Sequence, residues 1–217
     1  TRKIGQSNPL ASASNNVSVV LVADCDVSAG SNVTISGLTG SQTDDSAGLA
    51  VWSPSEGAFE SSGVWTRGSG RLTVRVGTQG LEHGVAYVLS FVLQNQASNQ
   101  SSPGVSVKAS VVSLAGPYVG EGEYETMEKA GTSALGVARG GDPLEVHVAS
   151  FRTRRIVQSN PLAWASNRLN VTLEPDCDMA GGSNVTISGL TGTESVDMEE
   201  LEVTSSAAGL FARSGAW

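Results

Sequence analysis

A long internal repeat constrains this sequence more than any other feature. The segment Gly30–Gly40 returns unchanged as Gly182–Gly192, an offset of 152 positions (182 − 30). Aligned at this offset without a gap, residues 1–65 and 153–217 agree at 37 of 65 positions. Self-similarity at one fixed offset indicates copies of a single structural unit arranged along the chain. The 217 residues therefore hold one full copy and the first 65 residues of a second.

Apolar residues of the first copy alternate with polar or small residues, a spacing of two that is typical of strands with one buried face. Clusters of Gly, Ser and Pro, such as Ser101–Gly104, separate these runs and supply the turns. Several short strands within one copy are typical of an antiparallel sandwich. We therefore predict an all-β fold of tandem immunoglobulin-like antiparallel β-sandwiches. The alternating runs lie at 17–21, 33–35, 72–76, 85–93 and 105–111.

The predicted domains follow this pattern. Residues 1–113 form the first sandwich repeat, and residues 143–217 form a partial second repeat, completed by a neighbouring subunit or by missing chain. Residues 114–142 are rich in Gly and Glu and predict a connector or long loop, with a short helix around Glu125–Ala130. Alternation resumes at 144–148. Because the sequence opens without an initiator Met, we expect a mature or excised piece of a longer protein.

The chain is acidic, with a net charge of −8, a pI near 4.7 and only three lysines. Nucleic acids and anionic membranes attract Lys and Arg, so this balance argues against both as partners. No apolar run approaches the ~20 residues that a membrane helix needs, so we predict no membrane span.

Three strings resemble a known module. They are Ile-x-Gln-Ser-Asn-Pro at Ile4–Pro9, Asn-Val-Thr-Ile-Ser-Gly-Leu-Thr-Gly at Asn32–Gly40, and a Ser-Phe-x-Leu-x-Asn pattern within Tyr87–Asn95. Together they are similar to a tandem β-sandwich module of very large secreted or cell-surface proteins of algae and other protists. The resemblance covers most of residues 1–113 and 143–217 and leaves the connector unexplained. It implies an extracellular or cell-surface location and a sandwich architecture, rather than an activity.

Five Asn-x-Ser/Thr sequons predict N-glycosylation in a secreted eukaryotic protein, although such short motifs also arise by chance. In the run 33–35 the apolar residues face inward, so Asn32 and Thr34 should point to solvent, where a glycan fits. With the two copies aligned, Asn170 lies two positions after Asn16. Side chains two residues apart point to the same face of a strand, so both sequons should face the same way. We expect covalent N-glycans and no other cofactor. The sequon asparagines are Asn16, Asn32, Asn99, Asn170 and Asn184.

Each copy carries one cysteine, Cys25 or Cys177, between two aspartates. A disulfide inside one sandwich is excluded, since each copy has a single Cys. A bond between the two cysteines of one chain needs Cα atoms within ~7 Å, whereas equivalent points of adjacent sandwiches lie much farther apart. Unpaired thiols and disulfides between chains stay open as alternatives, with metal ligation the least favoured.

The Asp-Cys-Asp triplet also invites a calcium interpretation, because carboxylates at alternate positions supply hard oxygen ligands that Asp44 and Asp45 could extend. Only Asp45 has a counterpart in the second copy, Asp197, and no Asp-x-Asp-x-Asp-Gly loop is present. We interpret these residues as solvated acidic turns and predict no metal site.

Catalytic signatures are close to absent. His83 falls on a predicted turn and His147 on an alternating run, and neither belongs to a metal-ligand or nucleophile motif. We predict that the chain is not an enzyme and that His147 is a strand-surface residue. A glycosidase built on a sandwich would need paired carboxylates that the sequence does not place.

The tryptophans divide into two groups. Trp65 and Trp217 occupy equivalent positions, which predicts a core or inter-sheet role. Trp52 and Trp164 each occur in one copy only. They predict either exposed platforms for stacking sugars or contacts between domains.

These features favour a structural subunit of an extracellular glycosylated filament or surface appendage, assembling head-to-tail with copies of itself. The second copy lacks counterparts of Arg71–Val76, Ala86–Gln94 and Val105–Val111, so it should expose an apolar inner face and unpaired strand edges. A contact that completes such a face without closing a ring propagates into a linear array. The alternative function is a cell-surface adhesin or carbohydrate-binding module that uses Trp52 or Trp164.

Overall fold

The structure is a computed structural model, and it describes residues 1–112, 119–206 and 209–217. Every element in these ranges is a strand, bridge, turn or irregular segment, which confirms the predicted all-β class. Within them, no helix has the length and apolarity needed to cross a membrane. The chain divides into two compact units, Thr1–Met179 and Ala180–Trp217.

The strands of the described ranges are mostly short. In chain order they are β1 Arg2–Gln6, β2 Ser14–Val22, β3 Asn32–Ser36, β4 Ser46–Trp52, β5 Phe59–Thr66, β6 Arg71–Val76, β7 Ala86–Gln94, β8 Ser106–Val112, β9 Val119–Glu121, β10 Glu125–Thr126, β11 Glu128–Lys129, β12 Phe151–Gln158, β13 Leu169–Pro175, β14 Leu201–Glu202 and β15 Ser214–Gly215. The five alternating runs correspond to β2, β3, β6, β7 and β8, and the alternation does not predict β1, β4 and β5.

Strands β1 to β11 form one large curled sheet. Its order is β10-β8-β3-β6-β5-β4-β7-β2-β1-β11, with β9 also paired to β8. Strand β4 makes the corner, because its first part pairs with β5 while Val51 and Trp52 pair with β7. The register of β4 shifts between Ser46 and Leu49, the kind of irregularity that lets a strand bend and change partners.

One cluster of buried residues joins the two halves of the sheet. It includes Val19 of β2 and Leu89 of β7 from one half, and Ile35 of β3 and Val74 of β6 from the other. Each large apolar side chain buried in this way contributes about 1.5–3 kcal/mol to the hydrophobic driving force. Trp65 is 1% exposed and its Nε1 donates a hydrogen bond to the carbonyl of Thr43 at 3.0 Å. This confirms the predicted core role of Trp65.

Part of the expected connector lies along the sheet edges. Strand β10 pairs with β8 at one edge and β11 pairs with β1 at the other, with the buried Met127 between them. The short helix predicted around Glu125–Ala130 is therefore wrong, because unpaired backbone groups at two sheet edges favour extended pairing there. The run at 144–148 contributes isolated bridges and no strand. Residues 113–118, where the connector was expected to begin, lie outside the described residues.

A buried carboxylate, that of Asp142, fixes the end of the expected connector. Asp142 is fully buried, and it accepts hydrogen bonds from the backbone N–H of Gly131 at 2.6 Å and from Nε of Arg139 at 2.8 Å. Nε2 of Gln6 in β1 donates to the carbonyl of Gly140 at 2.9 Å. The N-terminal strand and residues 131–142 are therefore held together by hydrogen bonds inside the first unit.

Strands β12 and β13 repeat the first hairpin of the chain. Ile156 pairs with Val171 in β12–β13, as Ile4 pairs with Val19 in β1–β2, each 152 positions earlier. The two hairpins differ in burial, since Ile4 is 1% exposed and Ile156 is 45% exposed. The second hairpin thus has the local structure of the first without its covering strands.

The second unit repeats β4–β5 but not β3. Strands β14 and β15 pair in the same register as β4 and β5, shifted by the repeat. The segment Gly182–Gly192 contains no strand, although its sequence is identical to that of Gly30–Gly40, which includes β3. In the first copy β3 is held between β6 and β8.

Candidate functional site

The five sequon asparagines Asn16, Asn32, Asn99, Asn170 and Asn184 are all exposed. Exposure of the amide is what a bulky covalent sugar requires, and occupancy of these sites stays a prediction. Thr34, which we expected at the surface beside Asn32, is only 7% exposed. That expectation is wrong because Thr34 lies at the middle of three paired strands, between Thr73 of β6 and Lys108 of β8, and its Oγ1 is 3.4 Å from that of Thr73.

Asn99 differs from the other sequon residues because its side chain already has a backbone partner. Its Oδ1 accepts a hydrogen bond from the backbone N–H of Val148 at 2.6 Å. A glycan attaches through the amide nitrogen, so this hydrogen bond is compatible with modification.

The two cysteines lie in different environments. Both are free thiols, with Cys25 exposed and Cys177 buried at 6% exposure. Burial raises the pKa of Cys177, and the neighbouring Asp176 carboxylate raises it further. Cys25 is therefore accessible to another chain, whereas Cys177 is screened. A disulfide between chains stays a prediction for Cys25 and Cys177.

One cluster of metal-ligand side chains comes together among residues 1–112, 119–206 and 209–217. It consists of His147, Asp176 and Cys177, whose ligand atoms all lie within 4.8 Å of one another. Nε2 of His147 is 3.1 Å from Oδ2 of Asp176. This Nε2 is shielded from solvent, and the contact does not have the geometry of a hydrogen bond.

The cluster is positioned by the end of the first copy and by the residues that follow the first hairpin of the second copy. The backbone of His147 is bonded to the first copy, donating to the carbonyl of Pro9 at 2.7 Å and accepting from Ala11 at 2.9 Å. Asp176 and Cys177 come directly after β13 of the second copy. A depression of about 230 Å³ lies beside the histidine. It is lined by Asn99, Gln100, Ser101, Glu145, Val146 and His147.

Hydrogen bonds hold Asp176 in its ionised form. Oγ of Ser150 donates to Oδ2 of Asp176 at 2.6 Å, and the backbone N–H of Ser150 donates to Oδ1 at 2.8 Å. These two bonds, with a smaller contribution from His147, lower the pKa of Asp176 to about 2. The cluster therefore offers a carboxylate, an imidazole and a thiol that converge from two copies of the repeat.

The other candidate residues do not converge in this way. Asp26 accepts a hydrogen bond from the backbone N–H of His83 at 2.8 Å. Asp44 pairs with the guanidinium of Arg67 at 3.2 Å, and Asp45 accepts from the backbone N–H of Arg67 at 2.7 Å. Asp44 and Asp45 thus share Arg67, while Asp26 contacts His83, and each carboxylate meets a donor of the protein as in ordinary polar turns.

Sequence reasoning missed the cluster because its members are distant along the chain. His147 precedes Asp176 by 29 positions (176 − 147), and no local metal motif contains both. The repeat itself carried a signal, since it places His147 shortly before the second copy and duplicates the Asp-Cys-Asp triplet. Only the folded hairpin β12–β13 shows that His147 and the second-copy triplet meet.

The two tryptophans found in single copies are both exposed. Trp52 of β4 is 63% exposed and Trp164, at the turn between β12 and β13, is 92% exposed. Trp164 has a positive φ of 64°, as does its counterpart Ser12, at 58°. A bulky residue is uncommon in this left-handed region.

No protein-family model matches the chain, and no curated protein matches it. A solved structure described as "AvmM Catalyzes Macrocyclization in Alchivemycin A Biosynthesis" is similar to 84% of this chain and to 90% of its own chain. The sequence identity is 10% and the TM-score is 0.31. A likeness at this level carries no argument about the fold or the function of this chain.

Proposed function

We propose that this chain is a structural segment of an extracellular glycosylated array, in which immunoglobulin-like β-sandwich repeats follow one another head-to-tail. The observation that carries the proposal is the second hairpin, β12–β13, which repeats the first hairpin but lacks the strands that cover it. The proposal gives the chain no catalytic activity. Its expected modification is N-glycosylation at the exposed sequons.

The second hairpin forms from the same local interactions as the first. Nδ2 of Asn15 donates to Oε1 of Gln6 at 2.6 Å, and Nδ2 of Asn167 donates to Oε1 of Gln158 at 2.9 Å. The strand pairs have the same register in both hairpins. Since both copies build this network, the hairpin is a starting piece of each repeat.

Apolar side chains on one face of the second hairpin are exposed among the residues that the structure describes. In the first copy, Val19 of β2 is fully buried and lies opposite Leu89 of β7. The counterpart of Val19 in β13 is Val171, which is exposed together with Leu169 and Ile156. An apolar strand face with a free edge is the surface on which a sheet takes up another strand.

The occupant that we propose for this face is a β7-type strand that continues the second repeat in the same polypeptide. Another molecule of this chain is a poor source of the strand, because its own β7 is already paired with β2 and β4. The N-terminal strand β1 of a neighbouring subunit is equally unsuited, since β2 and β11 occupy both of its edges. Successive repeats in one chain give a linear array without a closing contact.

An extended chain tests this occupant. Residues 66–152 are added a second time after Trp217, the counterpart of Trp65, so that the second repeat becomes complete. We expect the amides of β13 to gain hydrogen-exchange protection similar to that of β2. The matched control carries Leu89→Asp and Phe91→Asp in the added copy alone, and its β13 should stay unprotected. Equal, low protection in both extended chains would contradict the proposal, and so would protection in the unextended chain that rises with concentration.

Native material tests the array and its glycans. Intact mass should fall on glycosidase treatment, and peptide mapping should find modified Asn32 and Asn184. Electron micrographs should show linear particles with a regular spacing. Globular particles that carry unmodified Asn32 and Asn184 would refute an extracellular glycosylated array.

Glycan binding is a second candidate function, favoured by the exposure of Trp164. Its counterpart Ser12 is exposed even in the complete first repeat, so completing the second repeat would leave Trp164 on the surface. A bulky side chain in the left-handed region costs ~1–2 kcal/mol, and such strain is commonest at functional positions. A glycan array with Trp164→Ser, which restores the first-copy residue, tests this role. Saturable binding that Trp164→Ser abolishes would favour an adhesin, whereas no binding by the wild-type chain would remove this candidate.

A further inference from the structure

We propose that His147, Asp176 and Cys177 bind a zinc ion at the junction between the first repeat and the second. Their ligand atoms lie within 4.8 Å of one another, and Nε2 of His147 is 3.1 Å from Oδ2 of Asp176. With bonds of ~2.0–2.3 Å, neighbouring ligand atoms of a tetrahedral zinc are ~3.3–3.8 Å apart. The three side chains already surround a volume of this size, and small rotations complete the coordination.

The strongest sign of a ligand is the histidine nitrogen. Nε2 of His147 is shielded from solvent and has no hydrogen-bond partner, although it faces the Asp176 carboxylate. Buried polar atoms in folded proteins almost always have a hydrogen-bond partner, so a shielded nitrogen that meets a carboxylate without one fits a place for an ion or a water. A cation between the ring and the carboxylate satisfies both groups, and the adjacent thiol supplies a third donor.

The donor set selects zinc over the common hard cations. Thiolate and imidazole are soft or borderline ligands, whereas Ca²⁺ and Mg²⁺ prefer oxygen-only sites. Ser150 already orients the Asp176 carboxylate through two hydrogen bonds, the kind of outer support that ligating residues usually have. Binding converts the Cys177 thiol to a thiolate and releases its proton to solvent. Water takes the fourth position, as in open zinc sites.

A zinc ion at this place joins two copies of the repeat. His147 is fixed to the first copy by its backbone bonds to Pro9 and Ala11. Asp176 and Cys177 end the first hairpin of the second copy. The ion therefore cross-links the end of one repeat to the beginning of the next, whether or not the repeats form a longer array.

The first copy supplies a matched control. Its triplet Asp24, Cys25 and Asp26 has the same residues as the second-copy triplet, and all three are exposed. In the described ranges, the metal-ligand groups that converge do not include this triplet. Cys25 and His83 are thus a cysteine and a histidine of the same chain that lie outside the proposed site.

Cobalt(II) titration of the reduced full chain tests the proposal. Tetrahedral cobalt bound to a thiolate absorbs strongly through sulfur-to-metal charge transfer, and zinc should displace it. We expect one cobalt per chain in the wild type and in the controls Cys25→Ser and His83→Gln. Cys177→Ser should lose the charge-transfer band, and His147→Gln should weaken binding at least ~10-fold, as for other losses at metal sites.

Two spectroscopic results would overturn the zinc site. One is the lack of a thiolate band in the wild-type chain, and the other is a band lost in Cys25→Ser but kept in Cys177→Ser. Circular dichroism shows whether each variant folds. Should Cys177→Ser unfold, His147→Gln carries the test, because zinc must raise the melting temperature of the wild type by mass action and raise that of His147→Gln clearly less. An equal rise in both would also overturn the site.

Discussion

Ile4→Ala and Ile156→Ala are matched substitutions at equivalent positions of the repeat. Ile4 is 1% exposed inside the curled sheet, while Ile156 is 45% exposed on the second hairpin. The change removes three carbons, worth about 2.4 kcal/mol when fully buried at ~0.8 kcal/mol per carbon. The cavity left behind adds roughly 1 kcal/mol at a closed site. We expect Ile4→Ala to lower the free energy of unfolding by about 3–4 kcal/mol.

Ile156→Ala should cost much less. About half of this side chain lies in water already, so the lost transfer free energy is about 1 kcal/mol, and no enclosed cavity forms. Against a total stability of about 5–15 kcal/mol, the loss at Ile4 is large and the loss at Ile156 is close to that of a surface change. The expected difference between the two variants is therefore about 2–3 kcal/mol.

Urea unfolding followed by tryptophan emission measures this difference. Trp65 lies in the core of the first copy, so its emission reports on the unfolding of the sheet β1–β11. The midpoint for Ile4→Ala should fall at an unchanged slope, while that for Ile156→Ala should fall by only about a third as much. Equal losses in the two variants would show that the second hairpin is as buried in solution as the first. In the extended chain described above, the cost of Ile156→Ala should rise toward that of Ile4→Ala.

Three further predictions concern the first unit and its repeat. Asp142→Ala should lower the free energy of unfolding by ~1.5–3 kcal/mol in urea titrations, because it removes the charged acceptor that holds the backbone of Gly131 and the side chain of Arg139. Gly37→Ala should destabilise the chain by ~3 kcal/mol in thermal unfolding, because its φ is 94° and an added Cβ would meet the carbonyl of a neighbouring segment. The equivalent Gly189→Ala should cost ~1 kcal/mol, because its φ is 85° but an added Cβ would lie in open space. The hydrogen bond from Lys108 lowers the pKa of Glu121, so this contact stabilises β9 above the ordinary carboxyl pKa and is lost as pH falls through the lowered value. Lys108→Met should bring the pKa of Glu121 back toward its ordinary value, and an NMR titration of this variant measures the change.

The alternating runs predicted the strands that bury one whole face. Leu72 and Val74 of β6, for example, are fully buried, so their spacing in the sequence reflects their position in the sheet. β1 escaped prediction because Ile4 is its only buried residue. β4 and β5 escaped because register shifts break the period of two where the sheet turns its corner. Local periodicity reports burial, and these strands have too little regular burial to show it.

The connector and the cluster lay beyond the reach of local patterns. Strands β10 and β11 contain two residues each, and they are strands only because β8 and β1 present free edges. His147 was expected on the surface of a strand, whereas it lies in an isolated bridge with its Nε2 shielded from solvent, and its partners come from the second copy. Both features depend on which segments meet in space, and a spacing along the chain does not encode that directly.

The identical segments Gly30–Gly40 and Gly182–Gly192 show what the repeat needs in order to fold. The turn glycines keep positive φ values in both, 94° at Gly37 and 85° at Gly189, so the local turn follows from the sequence. The strand does not, because β3 requires β6 and β8 on its two sides. The hairpins β1–β2 and β4–β5 reappear in the second copy as β12–β13 and β14–β15, since their partners lie close in sequence and little loop entropy opposes them. Each repeat therefore consists of two hairpins that form locally and inner strands that form only when the whole repeat is present, and supplying β6 to β8 to the second copy should turn Gly182–Gly192 into a strand.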